Sequence, residues 1–226
     1  MRGLFVTGTG TGVGKTVVAA AIVAALCAGG ERVAVVKPVV TGLDEAGEPG
    51  APPPDHELLA AAAGLEPADV TQLTFGPPLS PHLAAELAGV TIEPAALVAA
   101  AQAAAREASV LVAEGVGGLL VPLTPGYLIR DYALDLGLPL VIAARPDLGT
   151  INHTLLTLEA ARAAGLRVAG VVLTPWPAQP GAALESNRAT IAALGRVEVA
   201  ALPHSALEPA ALALAGDTLP LGRWLS

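Results

Sequence analysis

Gly8-Thr9-Gly10-Thr11-Gly12-Val13-Gly14-Lys15-Thr16 follows the apolar run Leu4–Thr7 and opens the Ala/Val-rich stretch Lys15–Ala28. Strand, glycine-rich turn and helix in that order are the context a phosphate-binding loop requires. Glycines let successive backbone N–H groups turn toward phosphate oxygens, and the helix N-terminus adds its dipole. In that setting Lys15 reaches the β- and γ-phosphates, and the Thr16 hydroxyl is placed to ligate Mg²⁺. The strict GxxxxGK[ST] spacing fails by one residue, because position 9 is Thr and the first glycine is Gly8.

Outward from this loop, short β-branched runs alternate with Ala/Leu-rich stretches. The patterning predicts strands near residues 4–7, 32–36, 110–113, 139–143, 167–173 and 197–201, and helices near 15–28, 55–63, 93–108, 129–136, 152–164 and 183–194. Ser80-Pro81 opens a further helix with proline at its first position. Residues 38–54 read as a Gly/Pro/acid loop. Strands apolar throughout and separated by helices indicate a mostly parallel sheet covered on both faces. No repeat or linker divides the chain, so residues 1–226 are expected to form one α/β domain of the P-loop NTPase type.

Composition narrows the function. The 226 residues carry 20 acids against 12 bases, a net charge of −8. That balance argues against nucleic-acid binding and against docking on anionic lipid. The apolar run Val17–Ala28 is too short to span a bilayer and reads as a buried helix. One cysteine, Cys27, excludes a disulfide framework and a CxxC site, and a reducing cytoplasm is the expected setting. Only Lys15 and Lys37 among the basic residues are lysines. In a chain that otherwise uses arginine, these two positions are marked as needing a compact point charge.

Glu114 ends the run Val110-Leu111-Val112-Ala113, where an acid beside a phosphate loop is the usual Mg²⁺ partner. Gly115, Gly117 and Gly118 then permit close approach to a ligand. Lys37 falls at the carboxyl end of the second strand, where open α/β sheets bind ligands. Asp55 reads equally as a helix cap or as a functional carboxylate. No Asn-Lys-x-Asp guanine-reading motif exists, position 10 is Gly where partition-type ATPases carry a second lysine, and His56-Glu57-Leu58-Leu59-Ala60 is not HExxH.

These residues together resemble the dethiobiotin synthetase family. Its G-T-x-T-x-V-G-K-T loop matches Gly8 to Thr16, and its K-P-V-x-[ST]-G matches Lys37-Pro38-Val39-Val40-Thr41-Gly42. S-P-H matches Ser80-Pro81-His82, E-G-x-G-G matches Glu114-Gly115-Val116-Gly117-Gly118, and L-G-x-I-N-H matches Leu148-Gly149-Thr150-Ile151-Asn152-His153. The motifs span most of the chain in the family's order.

The resemblance implies an ATP-dependent ligase that converts 7,8-diaminononanoate and CO₂ or bicarbonate to dethiobiotin, as a homodimer. It implies Mg²⁺ on Thr16, Asp55 and Glu114, and charge stabilisation by the catalytic pair Lys37 and Lys15. It implies ATP contacts from Thr11, Gly12, Val13, Gly14, Lys15, Thr16, Val17, Asp55, Glu114, Gly115, Val116, Gly117, Thr174, Pro175, Pro203, His204 and Ser205. Thr41, Pro81, Gly118, Gly149, Thr150 and Asn152 are the implied substrate contacts, with the last three reaching the site of a second subunit. A helix N-terminus there suits the substrate's carboxylate; the plainer reading of Asn152 is a helix N-cap.

The sequence departs from the family after Leu173, where Thr174-Pro175-Trp176-Pro177 replaces the Asn-Asp-like residues that read adenine. Base preference is therefore left open, and other nucleoside triphosphates are admitted. Trp176 either stacks on the base or packs. Two alternatives stay beside the synthetase: a related P-loop amidoligase, which would usually carry a glutaminase domain with a nucleophilic cysteine, and a nucleotide-binding switch module.

Overall fold

Six strands with almost entirely buried side chains line up in parallel, and their chemistry explains why. In β1 (Gly3–Gly8) every residue is buried. Leu4 and Val6 join the apolar cluster on one side of the sheet, and Phe5 joins the cluster on the other. A strand covered on both faces has no solvated side to read as polar alternation. The computed structural model describes residues 1–45 and 52–226; residues 46–51, in the middle of the expected 38–54 loop, lie outside the described residues.

The glycine loop leads from β1 into α1 (Lys15–Ala28), then β2 (Val33–Val36) and the two-residue β3 (Val40–Thr41). Next come α2 (Asp55–Ala63), α3 (Pro67–Val70), β4 (Thr74–Phe75), α4 (Pro81–Ala88) and α5 (Pro94–Arg106). β5 (Val110–Glu114) is followed by a small hairpin, β6 (Pro122–Thr124) and β7 (Tyr127–Leu128), and by α6 (Ile129–Leu136). β8 (Leu140–Ala144), α7 (Thr150–Ala163), β9 (Val168–Trp176), α8 (Ala182–Gly195), β10 (Val199–Pro203), α9 (Pro209–Gly216) and α10 (Leu221–Trp224) complete the chain.

The central sheet has the order β10-β9-β8-β1-β5-β2, with parallel neighbours throughout. One apolar cluster holds α1, α2 and α9 against it. A second holds α5 and α6 on the opposite face, and a third joins β8 and β9 to α7 and α8. Helix α1 is buried on nearly every side, as a helix apolar all round must be. α9 packs so closely on it that a Cβ on Gly216 would meet the Ala21 carbonyl at 2.1 Å. Among the described residues no helix is long and apolar enough to cross a membrane.

The structure corrects several local expectations. Asp55 is not a helix cap: Pro54 takes that position, and Asp55 is the first residue of α2. Asn152 is not a cap either, because Gly149 precedes a helix that already begins at Thr150. Gly149 has φ 95°, a left-handed conformation that glycine adopts without strain. β9 runs through Thr174-Pro175-Trp176 rather than stopping at Leu173.

Candidate active site

Three parallel strands deliver their carboxyl ends to one place. β1 ends at the glycine loop, and its neighbour β5 ends at Glu114, with Val6 paired to Glu114. β2 flanks β5 with Val36 paired to Ala113, so the next residue, Lys37, lies beside Glu114. Loops at the carboxyl ends of an open α/β sheet are where ligands bind.

A dense polar cluster results. Lys37 Nζ lies 2.5 Å from Glu114 Oε1 and 2.7 Å from Asp55 Oδ2. Its side chain is 2% exposed and that of Glu114 is fully buried. The Thr16 hydroxyl sits 2.8 Å from Asp55 Oδ1 and 3.0 Å from Glu114 Oε1. Lys15 folds back over its own loop and donates to the Gly10 carbonyl at 2.9 Å. Glu114 Oε2 is buried with no hydrogen-bond partner among the described residues, and such a group is costly to leave unsatisfied.

Burial and pairing set the charges. Burial acts to lower the Lys37 pKa, but the Glu114 and Asp55 carboxylates outweigh it and hold it above the ordinary value. Burial pulls Lys15 down, with Glu114 opposing. Burial pushes Glu114 up, against the pull of Lys37. For Asp55 burial acts upward but Lys37 and the Thr16 hydroxyl prevail, and its pKa is lowered. Lys37 is thus held between Glu114 and Asp55, with both oxygens within 2.7 Å of its Nζ.

Lys15, Thr16, Lys37 and Asp55 line a cleft of about 670 Å³, while the fully buried Glu114 does not. Thr11, Gly12, Gly14, Lys15, Thr16, Val17, Lys37, Thr41, Asp55, Pro81, Val116 and Gly117 from the expected set line it. Gly14 takes φ 90°, and a Cβ there would lie 2.7 Å from Thr174 Cγ2. Thr174 is therefore packed on the phosphate loop although it does not line the cleft. Gly118 abuts the loop backbone at Gly8 and Gly10, and Gly115 packs on Phe5 and Ile129.

Two expected groups stand outside the cleft. Pro203 pairs with Trp176 across β10 and β9, and the His204 N–H donates to the Trp176 carbonyl at 3.3 Å, so the segments 174–176 and 203–205 lie side by side. Trp176 is buried in the cluster between β8, β9, α7 and α8, with Arg188 5.8 Å above its ring. That is the packing alternative. Gly149 and Asn152 are exposed at the start of α7, beside the fully exposed Leu148, while Thr150 is buried.

Sequence reasoning missed part of the lining: Val39, Glu45, Pro52, Leu58, Pro78, Leu79 and Val121. It also missed Arg145, whose Nε donates to the Gly12 carbonyl of the phosphate loop at 3.1 Å. The rule that singled out Lys37, a basic residue just past a strand's carboxyl end, applies equally to Arg145.

The fold and this grouping place the chain among the P-loop NTPases. A family model described as an AAA domain matches residues 2–207. The structure of the cell division ATPase MinD from Pyrococcus furiosus shares the fold at TM-score 0.55 and 17% identity, covering 96% of this chain and 98% of that one. The Mg-ADP complex of the septum site-determining protein MinD from Pyrococcus horikoshii OT3 does so at TM-score 0.56 and 15% identity, covering 99% and 88%. Sequence relatives are more specific. The ATP-dependent dethiobiotin synthetase BioD of Anaeromyxobacter dehalogenans (strain 2CP-1 / ATCC BAA-258) is 45% identical over 89% of each chain. That of Mycolicibacterium gilvum (strain PYR-GCK) is 44% identical over 90% of this chain and 87% of its own. The chain belongs to the dethiobiotin synthetase family.

Proposed function

We propose that the protein carboxylates 7,8-diaminononanoate and closes the product to dethiobiotin with hydrolysis of ATP to ADP and phosphate. The observation that carries this reading, beside family membership, is the buried Lys37 ammonium held between Glu114 and Asp55 at the foot of the phosphate loop.

The chemistry asks for fixed positive charge near developing anions and for no strong protein nucleophile. One substrate amine adds to CO₂, forming a C–N bond and releasing a proton to give a carbamate. A carbamate oxygen then attacks the γ-phosphorus of ATP, and the bond to the ADP oxygen breaks. The second amine attacks the carbamoyl carbon of the mixed anhydride, the bond to the phosphate oxygen breaks, and the amine gives up a proton as phosphate leaves and the cyclic urea closes. Lys37 stabilises the carbamate and the transferring phosphoryl group, and Lys15 with the N–H groups of Gly12 to Val17 holds the phosphates.

The donor set Thr16, Asp55 and Glu114 consists of hard oxygens, the ligands Mg²⁺ prefers. The unpartnered Glu114 Oε2 leaves coordinating capacity inside the cluster. These residues would hold Mg²⁺, which when bound offsets phosphate charge. Thr41 and Pro81 on the cleft wall contact the diamine, and Gly118 abuts the loop. Gly149, Thr150 and Asn152 serve a second copy's site in a homodimer, receiving the substrate carboxylate at the N-terminus of α7. That they do not line this chain's own cleft supports that arrangement. Thr174, Pro175 and the 203–205 segment flank the nucleotide base.

The test is phosphate release from ATP and Mg²⁺ with and without diamine and bicarbonate. Release that needs both substrates and accompanies dethiobiotin formation is expected. Release indifferent to the diamine would sink the reading.

A further inference from the structure

The phosphate loop is braced from a side that the family motifs do not cover. Arg145 is the first residue after β8, the strand that pairs with β1 on the side away from Glu114. Its Nε donates to the Gly12 carbonyl at 3.1 Å. Among the described residues its guanidinium meets no carboxylate within ion-pair distance.

Arg145 is itself held in place. The Thr9 N–H donates to the Ala143 carbonyl at 3.1 Å, tying loop to strand two residues earlier. Asn187 Nδ2 of α8 donates to the Pro146 carbonyl at 2.9 Å, one residue later. The Arg145 side chain thus springs from a backbone fixed on both sides.

Its partner is a loop residue with no side chain to hold it. Gly12 has φ 69° and open space where a Cβ would stand, so its own side chain restrains nothing. In a trans peptide the C=O and the following N–H point in opposite directions. The Gly12–Val13 bond is trans, so a donor on the Gly12 carbonyl fixes the direction of the Val13 N–H.

We propose that Arg145 is a positioning residue for nucleotide binding, pinning the Gly12–Val13 peptide so that the loop N–H groups are set for phosphate before ATP arrives. The inference rests on the reading of Gly8 to Thr16 as the ATP loop and adds a residue to it.

The test is steady-state kinetics on the full chain, varying ATP at saturating diamine and bicarbonate and then the reverse. Arg145→Ala is expected to raise KM for ATP about fivefold or more, the scale of one charge-assisted hydrogen bond. kcat and KM for the diamine should stay within about twofold, because the chemistry and the substrate side are untouched. Arg145→Lys, which keeps a charged donor, should recover most of the loss. A general structural defect would lower kcat and would not be rescued this way. An unchanged KM for ATP in Arg145→Ala, or a fall in kcat alone, overturns the proposal. If Arg145→Ala does not fold, Arg145→Gln, a shorter neutral donor, is expected to show the same rise in KM for ATP, and its absence overturns the proposal. Wild-type protein without diamine-dependent turnover would instead refute the synthetase reading, and equilibrium binding of ATP to the same variants then decides Arg145 separately.

Discussion

Lys37 Nζ and Glu114 Oε1 stand 2.5 Å apart, on adjacent strands and closed to solvent. The register of β2 on β5 produces this: Val36 pairs with Ala113, and the residue after each is charged. A buried pair of this kind adds little net stability against an apolar core, yet breaking it is expensive. Its presence is explained better by charge placement for chemistry than by folding.

Removing Lys37 should therefore cost both function and stability. Lys37→Ala is expected to lower kcat by about 100-fold or more, the scale of losing a charge-stabilising donor. It should also destabilise the fold by about 3 kcal/mol, because Glu114 is left buried without its partner. Lys37→Arg should retain more stability but little activity, since a planar fork does not replace a point charge. Dethiobiotin assays and denaturant melts on both variants separate the two effects.

Glu114→Gln keeps shape and removes charge. The Mg²⁺ concentration for half-maximal turnover should rise about tenfold or more, since a carboxylate in the proposed coordination set is lost. A Mg²⁺ titration with an unchanged half-point would remove Glu114 from the metal set.

Trp176 is packed with Ile142, Leu158 and Leu173, under Arg188. Trp176→Leu should lower the melting temperature while leaving KM for ATP within about twofold. No side-chain amide occupies 174–176, so ATP, CTP and GTP should be used with kcat/KM values within about tenfold of one another. A KM for ATP that rises sharply in Trp176→Leu would show that the indole touches the base.

Cys27 on α1 is partly buried, and burial pushes its thiol pKa up. The thiolate is the reactive form. Native protein should react with iodoacetamide at pH 8 well below the rate of the same protein in denaturant, and equal rates would contradict the packing described for α1.

Glu31 receives a hydrogen bond from Ser109 Oγ at 2.5 Å and pairs with Arg2. The Ser109 hydrogen bond, then Arg2, holds its pKa below the usual carboxylate value. A lowered folded-state pKa contributes stability above the unfolded pKa and loses it as pH falls through the folded one. Ser109→Ala should thus lower Tm at pH 7, and the difference from wild type should shrink in acid. A difference constant with pH would contradict it.

The parallel sheet was legible because its strands are apolar throughout and separated by helices of clear composition; α1 and α2 match their expected bounds. The grouping was legible for Lys37 and Glu114 from residue type at strand ends, and for Lys15 and Thr16 from the glycine loop that opens α1. Asp55 could not be resolved from sequence, since an acid at a helix start serves as a cap or reaches outward; Pro54 at the cap position and the contacts of Asp55 with Thr16 and Lys37 decide. β3 with β4 and β6 with β7 went unread because strands of two or three residues carry no periodicity. Arg145 stands just past a strand's carboxyl end as Lys37 does, but as one of ten arginines it did not stand out by residue type, and its partner is a backbone carbonyl that no residue identity marks.

The most direct measurement counts dethiobiotin formed per phosphate released, for wild type and Lys37→Ala, with ATP, Mg²⁺, bicarbonate and 7,8-diaminononanoate. The account predicts equal amounts of the two products in wild type, no release when the diamine is withheld, and loss of both products in the variant. Phosphate released without dethiobiotin, or undiminished turnover in Lys37→Ala, would contradict it.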